Sequence, residues 1–142
     1  MSTSQSRYKV LEHTADVGIE VFGSTLRELF ENAAWGFLDM LTDASKVQRR
    51  EARTLVVSAA NREELLVRWL SELLFRYETE RKLFGRVKIF KLTDTRLEAE
   101  ADGETFDPHW HLTRHAIKAV TYHSLSIQEE AGFFKATVIF DV

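Results

Sequence analysis

Asp16 and Asp141 stand near opposite ends of a 142-residue sequence, and each sits where a strand begins or ends. Asp16 closes the run His13-Thr14-Ala15-Asp16 at a strand entrance. Asp141 ends an otherwise apolar strand and lies beside the terminal carboxylate of Val142. Oxygen acceptors that close repel one another unless a cation or hydrogen-bond donors compensate. Should the two ends of the chain meet in space, their carboxylates would suit a hard cation. Taken singly, each residue has a plainer reading. Asp16 can hydrogen-bond the backbone two residues on and shape a turn, and Asp141 can be part of a solvated tail.

The second concentration of chemistry is "DPHWHLTRH", residues 107–115. His111 and His115 are four apart and could ligate zinc if the segment were helical. An H-x-x-x-H pair is common, and no glutamate lies inside this one as a general base. Hydrogen-bonded or solvated histidines are the competing reading. The sequence has no P-loop, no G-x-G-x-x-G, no G-x-S-x-G elbow and no H-E-x-x-H. It contains no cysteine, which excludes disulfides and thiolate zinc sites.

Several elements must position these groups. Tyr8–Glu12 and Val17–Phe22 read as strands, the second with Val17, Ile19 and Val21 on one face. Thr25 and Glu28 form a capping box that opens a helix ending near Thr42-Asp43. Leu26, Leu29, Phe30, Ala33, Ala34, Phe37, Leu38 and Leu41 make its apolar face. Asn61 and Glu64 repeat the spacing before a second amphipathic helix through Leu65, Trp69, Leu73 and Tyr77. Thr54–Ser58 reads as a strand between the helices. Arg86–Leu92 and Arg96–Ala101 flank Thr93-Asp94-Thr95 as a hairpin, and Asp102-Gly103 carries a turn signal. Residues 112–122 are expected to include a short helix, followed by a strand over His123–Gln128. Gly132 turns the chain into a last strand with Phe134, Ala136, Val138 and Phe140 on one face. This order predicts an α+β fold over residues 1–142, with a largely antiparallel sheet and two main helices.

Charge is unevenly spread. Residues 1–45 carry 3 basic and 7 acidic groups, residues 46–91 carry 12 and 6, and residues 92–142 carry 4 and 9. Solvated helix faces explain a basic middle; a complementary docking surface is the sharper reading. A net charge of −3 does not announce a nucleic-acid binder. No segment is apolar enough to span a membrane, and residues 1–6 lack a secretory signal, so a cytoplasmic location is expected.

Five ordered blocks resemble the archease family: "HTADVGIEVFG", "LRELFENAAWGFLDMLTD", "ELLVRWLSELLF", "DGETFD" followed by His111, and "IKAVTYHSLSI" with the closing "ATVIFDV". The resemblance implies an α+β fold likened to a domain of a redox chaperone, without that chaperone's zinc-binding cysteines. It implies an accessory protein rather than an enzyme. Its partner would be an RtcB-type RNA ligase of tRNA splicing and RNA repair, helped to form its guanylate intermediate and turn over repeatedly. RNA would be met only indirectly. A chaperone-like partnership with a tRNA methyltransferase is the alternative role. A metal-dependent hydrolase is the reading from another class, disfavoured because no general base or substrate pocket is identifiable. The family's divalent metal, described as calcium, would be held by Asp16, Asp141 and Val142. His13, Asp43, Glu72, Asp107, His111 and Lys118 match family positions and become candidate partner contacts. Plainer roles compete: His13 as a brace, Asp43 as a cap at the exit of the first helix, Lys118 as an ion-pair partner. Gln48 and Ala116 replace residues that are frequently acidic in the family, and Trp110 stands where it is usually polar or basic.

Overall fold

The computed structural model describes residues 7–12, 16–123 and 125–142, with Glu12 described for its backbone alone. Among the described residues, eight strands and two helices run in the order β1 (Tyr8–Glu12), β2 (Asp16–Gly23), α1 (Leu26–Leu41), β3 (Glu51–Ser58), α2 (Arg62–Glu80), β4 (Lys82–Leu92), β5 (Arg96–Thr105), β6 (Ala119–Thr121), β7 (Ile127–Glu130) and β8 (Phe133–Asp141). A single 3₁₀ turn, Ala44–Lys46, follows α1.

The strands form two sheets, and every pairing is antiparallel. One sheet runs β1-β2-β8-β6, with β7 on the same edge of β8 as β6; the other runs β3-β5-β4. A period of two shows which face a strand buries but not which strand it joins, so the division into two sheets is a property of the tertiary structure. Helix α1 packs on β2 and β8 of the first sheet and on β4 of the second, while α2 covers β3, β4 and β6. The core between them is one cluster that includes Ile19, Phe30, Leu65, Trp69, Ile89 and Phe140.

Both helix starts follow from their caps. The Glu28 amide donates to Thr25 Oγ1 at 3.1 Å, and the Glu64 amide donates to Asn61 Oδ1 at 2.8 Å. Each glutamate reaches back one residue beyond the cap, to the amides of Ser24 and Ala60. Helix α1 ends at Thr42, whose amide donates to the Leu38 carbonyl.

Two expectations are corrected. Asp102-Gly103 is not a turn; both residues lie inside β5. Gly103 is needed because β4 comes so close that a Cβ there would lie 1.8 Å from the Leu83 carbonyl oxygen. The approach coincides with a bulge in β4 between Phe84 and Arg86. Gly103→Ala is therefore expected to destabilise the protein by about 2 kcal/mol, a fall in Tm of about 6 °C, measurable by calorimetry. Gly132 does turn the chain, at φ 86°.

The helix expected within 112–122 is absent, β6 (Ala119–Thr121) lies in that stretch instead, and the strand expected over His123–Gln128 is found later, as β7 (Ile127–Glu130). The cause lies in α1. The last carbonyls of a helix lack intrahelical donors, and here the Arg114 and His115 amides donate to Leu41 and Met40. These bonds tie the stretch to the end of α1, and the Lys118 amide, which a helix would direct at the Arg114 carbonyl, donates instead to the Asp141 carbonyl. Without that helix, the i,i+4 zinc face of His111 and His115 is absent too.

Candidate functional site

Strand β2 brings Asp16 and β8 brings Asp141 to directly opposite positions in the ladder. Such cross-strand neighbours have Cβ atoms about 5 Å apart, and like charges placed so are destabilising. Asp16 Oδ1 is buried and has no hydrogen-bond partner among the described residues. Buried polar atoms are nearly always satisfied, which makes this oxygen a fitting ligand for a hard cation. Val142 follows Asp141 and is exposed.

Lys118 reaches the same end of the molecule. Its amide donates to the Asp141 carbonyl at 2.7 Å, and Ala119 begins β6 opposite Asp141. The strap from 112 to 118 is held by Arg114, which meets Asp39 Oδ1 at 3.1 Å and the Asp39 carbonyl at 3.0 Å. Asp39 also accepts from the Tyr8 hydroxyl and the Ala44 amide. Burial, then the hydrogen bond to Asp39, pushes the Tyr8 phenol up to about 12. Lys118 is exposed, and no ion pair involves its side chain among the described residues. His13 lies outside the described residues.

The remaining candidates lie elsewhere. Asp43 caps the 3₁₀ turn rather than α1, accepting from the Ser45 amide and hydroxyl, and that hydroxyl holds its carboxyl below the usual range. Glu72 pairs with Arg76 at 2.7 Å along α2. Asp107 and His111 belong together. The Trp110 and His111 amides donate to the Asp107 carbonyl, and the Asp107 amide donates to His111 Nδ1 at 2.9 Å. An amide can only donate, so Nδ1 is the acceptor and the ring proton resides on Nε2. It is directed at Glu104 Oε2, 2.8 Å away. Phe106 stacks on the imidazole at 5.8 Å.

Glu104 is the residue that the sequence reading passed over. Its side chain is only 9% exposed, and it accepts from His111, the Gln48 amide and Arg50 Nε. Burial alone would raise its pKa; the donors from Gln48, His111 and Arg50 outweigh that and hold it below the usual carboxylate range. The motif "DGETFD" contains it, but two of its partners, Gln48 and Arg50, come from a distant segment. Together these residues wall an open groove of about 540 Å³, lined also by Glu51, Thr105, Asp107 and Trp110.

The basic middle is largely neutralised within the molecule. Of the twelve cations in residues 46–91, Arg50, Arg53, Arg62, Arg68, Arg76, Lys82 and Lys91 pair with acids. Arg81 lies over Tyr77 and Phe106. This favours the plain reading of the charge pattern over a continuous basic surface.

Residues 8–142 match the model of the archease protein family (MTH1598/TM1083). The chain belongs to that family. It is 37% identical over 137 residues to the protein archease of Sulfurisphaera tokodaii, covering 96% of this chain and 99% of that one. Against the protein archease of Methanosarcina acetivorans the identity is 36% over 146 residues, with both chains fully covered. The solution structure of Methanobacterium thermoautotrophicum protein 1598 superposes with a TM-score of 0.81 at 37% identity, covering 97% of this chain and all of that one. A Thermotoga maritima crystal structure described as an archease and possible chaperone matches at a TM-score of 0.66 and 21% identity, covering 94% of this chain and 96% of that one, and shares the fold. The archease α+β architecture read from the sequence is thus the one observed. No helix among the described residues is long and apolar enough to cross a membrane.

Proposed function

We propose that this chain is a metal-binding accessory protein that activates an RtcB-type RNA ligase. Family membership points to the partner, and the opposition of Asp16 and Asp141 supports the mechanism. Asp16, Asp141 and Val142 would hold a divalent ion, calcium above all, since the donors are hard oxygens. When bound, the ion supplies a fixed positive centre among carboxylates. The chain's own residues do the rest. The β2–β8 ladder fixes the spacing of the carboxylates. Arg114 and Asp39 hold the strap that brings Lys118 to that end. Lys118 is exposed there and can reach a partner's carboxylate or phosphate.

A ligase that forms a guanylate intermediate must hold triphosphate and divalent ions in a site where charge placement governs phosphoryl transfer. The acidic end of this protein would enter that site and help to set its metal occupancy, with no covalent step of its own. Substoichiometric protein is therefore expected to convert a single-turnover ligase into a multiple-turnover one. The measurement is product per ligase molecule with GTP in excess. A ratio that stays at about one in the presence of this protein rules out ligase activation. The protein alone should not hydrolyse GTP, ATP or RNA.

A further inference from the structure

The three tryptophans are treated differently by the fold. Trp69 is buried, with its indole N–H donated to the Phe30 carbonyl. Trp35 is covered by the Arg7 guanidinium at 4.4 Å. Trp110 is 52% exposed, and among the described residues no cation lies over its ring. Its indole N–H is nevertheless satisfied, by the Lys46 carbonyl at 2.8 Å. The ring is thus held by its polar edge while its face is open at the groove. An exposed tryptophan fixed in this way is the kind of anchor on which interfaces concentrate their energy.

The charges around it select the ligand. Arg50 is engaged by Glu104 and Gln48, and Lys82 by Glu51 and Thr105. Asp107 is in the same turn as Trp110, since the Trp110 amide donates to its carbonyl. Its side chain is 56% exposed, and one oxygen, Oδ1, accepts the His109 amide at 2.9 Å. That bond foremost keeps the carboxyl ionised to lower pH than usual. Of the three acids that line the groove, Glu104 is paired with Arg50 and Glu51 with Lys82, so Asp107, with only the exposed His109 ring beside it at 3.4 Å among the described residues, is the carboxylate left to draw in a cation. A guanidinium is flat, stacks on an indole and hydrogen-bonds a carboxylate through its fork, which an ammonium does not.

We propose that this groove receives an arginine side chain of a protein partner, stacked on Trp110 and hydrogen-bonded to Asp107. The existence of a partner rests on the accessory-protein reading; the recognition chemistry does not, and its test uses no ligase. A blocked Gly-Arg-Gly tripeptide is titrated into isotopically labelled protein, with its uncharged citrulline counterpart and an oligouridylate in parallel. The arginine peptide alone should shift the Trp110 indole N–H and the amides of Gln48 and His109. Read on those amides, Trp110→Ala and Asp107→Asn should each weaken binding about fivefold, and Trp110→Phe should recover most of the loss at position 110. Absence of a shift with the arginine peptide, or an equal shift with citrulline, overturns the proposal. A shift with oligouridylate instead overturns it in favour of a nucleic-acid site. Failure of ligase activation leaves these readouts, and the proposal, standing.

Discussion

Calcium is expected to raise the melting temperature of the wild-type protein by about 5–10 °C and to leave Asp16→Ala and Asp141→Ala unmoved. The wild-type ladder sets two carboxylates opposite each other and buries Asp16 Oδ1 without a partner among the described residues. An ion that binds only the native state stabilises it by about 2.7 kcal/mol at a hundredfold excess over Kd. In a chain of this size each kcal/mol is worth roughly 2–4 °C. Without calcium, either alanine variant removes the repulsion and should melt no lower than wild type. The same two variants should lose ligase turnover, bringing product per ligase back to about one. If both variants respond to calcium like wild type, the metal lies elsewhere; if they still activate the ligase, the mechanism through the acidic end is wrong.

Glu104→Ala is expected to be the most destabilising single change at the groove. It leaves the buried His111 Nε2–H and the part-buried Gln48 amide without their acceptor, and it frees Arg50. Two orphaned donors, one inside a buried pair, cost about 3 kcal/mol. Glu104→Gln, which retains an acceptor oxygen, should lie between. The pH dependence carries a distinct signature. The folded-state value of Glu104 is lowered, so its contribution is complete above the unfolded value near 4.5 and is lost as pH falls through the lowered folded value. Urea melts at pH 7, 5 and 3 should show the gap between wild type and Glu104→Ala narrowing only in the last step. A gap that is constant down to pH 3 would mean that the carboxylate's charge contributes nothing.

The local parts of the structure were legible from local signals. Thr25 with Glu28 and Asn61 with Glu64 announce the helices, because a cap and its partner are neighbours in sequence. The two errors arose where a distant element overrides a local preference. Asp102-Gly103 has the composition of a turn, but its glycine answers to the Leu83 carbonyl of another strand. Residues 112–118 have helical composition, but α1 ties down the Arg114 and His115 amides and β8 takes the Lys118 amide that a helix would need. For the candidate site, alternation along β2 and β8 shows which side chains face inward and is silent on register. That Asp16 meets Asp141 came only with the resemblance to a family. Glu104 gave no local sign, since Gln48, Arg50 and His111 are brought to it by the fold.

Strand β8 lies between β2 on one side and β6 and β7 on the other, although it is made from residues 133–141. During synthesis, β1 and β2 therefore emerge with one edge of β2 unpaired. That edge stays open while the more than one hundred residues between Gly23 and Phe133 are added, on the order of 10 s at ordinary translation rates. Unpaired strand edges are templates for association with other chains. Closure of the first sheet is then a late, non-local event, and pairings of that kind form slowly. The nascent chain is thus most prone to aggregate in this interval, when its first hairpin is complete and its central strand has not yet been made.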